Sequence, residues 1–235
     1  MSEPAPAQAG RRAAVLALPA TIPEGSSPSA IKAQRLVDLV AIFTPTVQFC
    51  SHPRRLPPTL VRELEPATAT APAHTTQRPP LPRLRLVLVG RDATTPGPHL
   101  QARLPARPAL AADLAWLMEL YGDLLGCPAI GLRLEVLDRA MCPGWHVDHT
   151  GIRLLCSYRG PGTEWLDDRG IDRDRLGAAT TGRSPSGAAG TGDICLLKGS
   201  AWQGNQGRGV IHRSPMPAAG TGPRVLVALD ALWRD

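Results

Sequence analysis

The stretch "CPGWHVDHTGIRLLCSYRGPGTEWL", residues 142–166, gathers two histidines, an aspartate, two cysteines and two tryptophans, in a chain otherwise dominated by Ala, Arg, Pro, Gly and Leu. On an extended strand alternate side chains share a face, so His146 and Asp148 point the same way while Val147 turns into packing. One imidazole and one carboxylate make two ligands for a borderline divalent metal. A third must come from another strand, and His212 in "GVIHRSP" is the only later histidine. Two histidines and a carboxylate on one side of a metal form the facial triad of non-haem Fe(II) oxygenases, which leaves positions open for a co-substrate and O2.

Arg224 opens "RVLVALD", twelve residues after His212. In a β-barrel that spacing allows a turn and return, bringing a guanidinium beside the metal, where it holds a carboxylate in two-pronged fashion. A triad followed by such an arginine is the arrangement that anchors 2-oxoglutarate in Fe(II)-dependent dioxygenases. Arg153 lies in an otherwise apolar strand. A buried arginine usually has an anionic partner, so Arg153 is expected beside the co-substrate or in an ion pair.

Other polar residues of the stretch carry competing readings. His149 faces away from His146 and Asp148. Cys142 and Cys156 could join the two histidines in a closed zinc site, although no C-x2-C spacing supports it. Glu164 is an acid, a substrate contact or a strand-surface residue. Trp145, Trp165 and Trp202 are candidates for an aromatic pocket or for the core. The ligands themselves have structural alternatives: His146 as a core histidine, Asp148 as the cap of the "HTG" turn, His212 as an ordinary strand end.

Elements must position these residues. "PALAADLAWLMELYGDLLG" predicts a helix with Leu110, Leu114, Leu117 and Leu124 in its apolar stripe and Gly126 as terminator. "SAIKAQRLVDLVAIF" predicts another, capped by Ser29. "LRLVLVG" predicts a strand, and "IGLRLEVL", "GIRLLCSY", "TEWL", "DICLLKG", "GVIH" and "RVLVALD" predict six more after the long helix. The expected fold is mainly β with flanking helices (α+β), around a double-stranded β-helix core of jelly-roll or cupin-like type. Residues 1–28 read as a disordered tail, 29–100 as a helical and Pro-rich segment, and 101–235 as the metal-binding domain. The stretch 167–192 is either a solvated loop or a lid at the mouth of a pocket.

Composition limits the function classes. The net charge of +6 comes almost wholly from scattered arginines, Lys32 and Lys198 being the only lysines. Nucleic-acid binding favours clustered basic residues, so this pattern argues against it. Five cysteines without a repeating pattern point to a reducing compartment. "RRAAVLALPATIP" imitates a signal peptide, but its apolar run is short and broken by Pro19. No apolar stretch approaches the roughly 20 residues that span a bilayer, and the expectation is a cytoplasmic protein without membrane contact.

The stretch quoted above, with "GDICLLKGSAWQG" and "GVIHRSPMP…PRVLVALD", resembles a bacterial family, domain of unknown function 1826, over residues 110–235. The resemblance implies a role near zinc homeostasis, with a metal-delivering GTPase as a partner. The triad of His146, Asp148 and His212 with Arg224 leads instead to an Fe(II)/2-oxoglutarate-dependent oxygenase acting on an unidentified small-molecule or protein substrate. The alternatives are a zinc-binding accessory protein that turns nothing over and a hydrolase or isomerase using zinc as Lewis acid.

Overall fold

The computed structural model describes residues 29–65, 79–167, 169–216 and 222–233; the tail expected over 1–28 lies outside them. Strand β1 (Ser29–Lys32) leads through a 3-10 helix (Leu36–Phe43) to β2 (Val47–His52) and α1 (Pro58–Leu64). After β3 (Leu84–Val89) come the short α2 (Arg91–Thr94) and α3 (Gly97–Arg103), then the long α4 (Pro108–Leu125). The remainder is β4 (Ala129–Leu137), β5 (Ile152–Arg159), β6 (Glu164–Leu166), α5 (Leu176–Ala179), β7 (Gly187–Ala188), β8 (Ile194–Lys198), β9 (Ile211–Arg213) and β10 (Arg224–Leu232).

Seven strands form one sheet in the order β1-β2-β8-β5-β10-β4-β3, and three form a second in the order β7-β6-β9. His146 extends the small sheet through an isolated antiparallel bridge to His212. From β4 onward the chain alternates between the sheets: β4 in the large one, the His146 bridge in the small, β5 in the large, β6 and β7 in the small, then β8, β9 and β10 by turns. That winding is the jelly-roll order, so the mainly β expectation with flanking helices holds.

The two faces of the large sheet have different coverings. Strand alternation sends Leu132, Leu134, Leu154, Leu196, Val227 and Leu229 to the helix side, where α4 meets them with Leu110, Leu114, Leu117 and Met118. Gly126 ends α4 in a left-handed conformation (φ 63°) that costs glycine least. Tyr121 on α4 donates to the Ile152 carbonyl at 2.5 Å and accepts from the Ala231 amide at 2.8 Å, fixing the helix to β5 and β10. The opposite face packs Leu155, Leu197, Leu226 and Ala228 against the small sheet, where Trp165 stacks on Phe49. A third cluster of Trp145, Leu166, Ile171 and Ile211 lies on the outer side of the small sheet.

The amino-terminal strands pair within the same large sheet as the later ones: β2 with β8, and β3 with β4. Arg54, after β2, makes a two-pronged ion pair with Asp113 of α4 at 2.7 and 2.9 Å, and Tyr158 of β5 donates to the same carboxylate at 2.5 Å. The helix expected over residues 29–43 is corrected. Ser29–Lys32 pairs in parallel with β2, and only Leu36–Phe43 is helical, as a 3-10 helix. Spacing compatible with a helix gave way to pairing at a sheet edge, where tertiary context overrides local propensity.

Candidate metal centre

His212 and His146 face each other across two backbone hydrogen bonds, His146 N to His212 O at 3.1 Å and His212 N to His146 O at 2.9 Å. Directly opposed residues of an antiparallel pair project to the same face, and the two ring centroids are 4.4 Å apart. Asp148 follows two residues after His146. Its Oδ1 lies 3.7 Å from His146 Nε2 and its Oδ2 3.5 Å from His212 Nε2. The candidate ligand atoms of the three residues lie within 4.8 Å of one another, the only such His/Cys/Asp/Glu group found among the described residues.

Each imidazole is oriented by its own backbone. His146 Nδ1 sits 3.0 Å from the Gly144 carbonyl and His212 Nδ1 3.1 Å from the Val210 carbonyl. A carbonyl only accepts, so both Nδ1 atoms carry protons and both rings turn Nε2, a lone pair in the neutral form, to one point. Burial, aided by the neighbouring His212, lowers the His146 pKa and favours that neutral form. Burial alone would raise the pKa of Asp148. The contact with His212, with Arg153 and His146 beside it, outweighs this and holds the carboxylate well below the usual range. The two Nε2 atoms and the carboxylate thus converge on one point, an arrangement able to hold a divalent cation. The donor set, two imidazole nitrogens and one carboxylate, suits Fe(II) and Zn(II) alike.

Arg153 holds the carboxylate from behind. Its Nη1 donates to Asp148 Oδ2 at 2.5 Å and its Nε to Asp230 Oδ1 at 2.6 Å. Arg153 is thus ion-paired to both carboxylates while it also lines the cavity shared with the triad. Asp230 was not visible as a site residue in the sequence; it reads as the end of an apolar strand, and only the β10–β5 register sets it beside Arg153.

Arg224 lines the same cavity as the triad, a space of about 250 Å³ between the sheets. The side chain is 3% exposed, yet no carboxylate pairs with it among the described residues. Its Nε donates to the Pro161 carbonyl at 2.8 Å and its Nη2 to Ser157 Oγ at 2.9 Å and more distantly to Thr163 Oγ1 at 3.4 Å. Burial lowers its pKa to about 10, which leaves it a cation at neutral pH. Leu155, Leu226 and Ala228 give this cavity an apolar floor, and Met141, Cys142 and Ser214 contribute to its wall.

The remaining candidates fall elsewhere. His149 contacts Ser200 Oγ at 3.1 Å and does not line the cavity. Glu164 is paired with Arg213 at 2.6 Å. Cys156 is buried on the helix side of β5 near Arg54, so the closed zinc site of two histidines with Cys142 and Cys156 is corrected. No tryptophan lines the cavity: Trp145 packs behind the small sheet, Trp165 on Phe49 and Trp202 on Phe43. The described part of 167–192 contributes no lining residue either. Ile171 instead packs behind the small sheet, and Arg173 donates to the Gly209 carbonyl at 2.8 Å.

A family model described as "Protein of unknown function (DUF1826)" matches residues 33–230. The chain belongs to this family. The match reaches well beyond the 110–235 suggested by the motifs and takes in β2, β3 and α1. No curated protein matches the sequence. Solved structures similar to this chain include a rice dioxygenase for auxin oxidation, at 19% identity and TM-score 0.45, covering 87% of this chain and 83% of that one. Another is dioxygenase for auxin oxidation 1 from Arabidopsis thaliana, in a complex with 2-oxoglutarate, at 10% identity and TM-score 0.45 over 88% and 93%. A third is a Pseudomonas putida prolyl-4-hydroxylase, at 13% identity and TM-score 0.39 over 86% and 100%. The likeness is distant, and the chemistry has to be read from the side chains of this chain. No helix of the described residues is long and apolar enough to cross a membrane.

Proposed function

We propose that this DUF1826 protein is an Fe(II)/2-oxoglutarate-dependent oxygenase. The observation that carries the reading is Arg224: a buried guanidinium with no carboxylate partner among the described residues, facing a cavity shared with a His-Asp-His group. An unpaired buried charge is strongly unfavourable, and an anionic ligand would relieve it. In this reading His146, Asp148 and His212 hold the metal. Bound Fe(II) with 2-oxoglutarate supplies oxidative chemistry in which O2 is consumed, 2-oxoglutarate becomes succinate and CO2, and a substrate C–H bond is hydroxylated.

The chain's own residues prepare that site. Arg224 takes the distal carboxylate of 2-oxoglutarate, its guanidinium held in place by the Ser157 and Thr163 hydroxyls that accept from Nη2. Nδ1–H donation to Gly144 and Val210 keeps both Nε2 lone pairs on the metal side. Arg153 engages Asp148 Oδ2 and leaves Oδ1 as the less encumbered ligand atom. Leu155, Leu226 and Ala228 exclude water from the floor.

A zinc-binding accessory protein would use the same three ligands but has no need of Arg224. Thermal unfolding with Fe(II) or Zn(II), with and without 2-oxoglutarate, separates the readings. The expected result is that 2-oxoglutarate raises the Tm of the metal-loaded parent and not of its Arg224→Ala variant. A metal-loaded protein indifferent to 2-oxoglutarate would leave only the zinc reading.

A further inference from the structure

The cavity holds more guanidinium than its carboxylates neutralise. Arg213 is matched by Glu164 at 2.6 Å. Glu135 is matched by Arg85 at 3.1 Å, with Arg83 at 4.0 Å besides. Arg153 takes Asp230 at 2.6 Å and Asp148 at 2.5 Å. Arg133 is left with the second oxygen of Asp230, at 3.1 Å. It is thus a cavity arginine whose one carboxylate partner among the described residues is already engaged by another arginine at shorter range. Its side chain is 33% exposed, so a ligand can reach it.

Its position separates it from Arg224. On β4, Arg133 pairs with Ala228 of β10, four residues along that strand from Arg224. At about 3.3 Å per residue the two anchor points stand roughly 13 Å apart. Leu226 projects between them on the same face, and the small Ala228 side chain keeps the floor beside Arg133 low. A divalent metal and a dianionic co-substrate cancel one another, so loading the site leaves the arginine excess in place.

We propose that the substrate is a small molecule bearing an oxyanion, carboxylate or phosphate, and that Arg133 binds this group at the end of the cavity away from Arg224. The proposal rests on the oxygenase reading above. A guanidinium offers such a group two parallel N–H donors, with the apolar floor left for the substrate's carbon skeleton.

The test uses the full chain loaded with Zn(II), which has no redox chemistry, and saturating 2-oxoglutarate, titrated calorimetrically with hexanoate, hexyl phosphate and hexanamide. In the parent, one of the two anions should bind at least tenfold more tightly than the amide. Arg133→Gln should reduce that preference below twofold while metal and 2-oxoglutarate still bind, and Arg133→Lys should restore part of it. A parent that does not distinguish anion from amide, or an Arg133→Gln variant that keeps the preference, overturns the proposal. Arg224→Gln, titrated with 2-oxoglutarate in parallel, reports on the oxygenase reading separately. If it binds 2-oxoglutarate like the parent, that reading fails; if it loses binding while Arg133 proves indifferent, only the substrate class fails.

Discussion

Arg224 and Arg153 sit on neighbouring strands and have opposite surroundings, and substitutions should tell them apart. Among the described residues Arg224 has neutral acceptors only. Arg224→Lys keeps the charge and loses the fork, so calorimetry should show weaker 2-oxoglutarate binding with unchanged metal affinity. Arg224→Ala should lose more, about 2–5 kcal/mol, the range for removing one partner of a buried charge pair. Arg153 is held between two carboxylates. Arg153→Gln should lower metal affinity itself, about 10- to 100-fold by the usual effect of groups that orient a ligand. Equal metal affinity in parent and variant would make Arg153 a packing residue. That His146, Asp148, His212 and Arg224 come together at one cavity was legible in the sequence because their spacing carries it; the partner of Arg153 was not, because it depends on which residues register across β10.

At the scale of elements, the turn after β8 fastens the loop that carries Asp148. Gly199 N donates to the Gly151 carbonyl at 2.7 Å, Ser200 N to that of Asp148 at 2.9 Å and Ala201 N to that of Thr150 at 3.0 Å. A Cβ on Gly199 would drive into the backbone oxygen of Thr150 and stand 2.7 Å from that of Asp148. Neither can rotate away. Gly199→Ala should therefore destabilise the fold by about 1–3 kcal/mol in denaturant unfolding, and shift Asp148 enough to weaken metal binding in the same preparation. A variant with parent-like stability and metal affinity would contradict this coupling. It also gives the "LLKG" segment a physical role beside "HVDHTG" that neither motif reveals alone. Strands β4, β5, β8 and β10 were legible as apolar, β-branched or leucine-rich runs bounded by turn residues, as was α4 with its glycine terminator. Strand β2 was not, since "VQFCSH" is nearly all buried yet mixes Gln48, Ser51 and His52 with its apolar residues, so the sequence shows neither an apolar run nor a period of two. The strand-like reading of "HVDH" was right about the shared face, although only His146 makes a bridge.

Over the whole molecule, the buried charge of Lys198 links stability to pH. Lys198 is 1% exposed and its Nζ donates to the Thr44 carbonyl at 2.9 Å. Burial, with the charge of Arg208 adding to it, lowers its pKa from 10.5 to about 8. The unfolded chain therefore holds this proton more tightly than the folded one. Stability relative to a Lys198→Met variant should rise between pH 8 and 10.5, by an amount on the order of 3 kcal/mol, and stay flat below that window. Denaturant titrations at each pH check it, and a difference independent of pH would contradict it. The same scale decides the central claim, because the β9 histidine, the loop that carries Asp148 and the β10 arginine must all be in place at once. The direct measurement is an anaerobic titration of the Fe(II) protein with 2-oxoglutarate, followed by visible absorption. A charge-transfer band should grow to saturation in the parent, and be abolished by His212→Ala in a variant that remains folded. A folded, Fe(II)-loaded parent that gives no band would contradict the assignment.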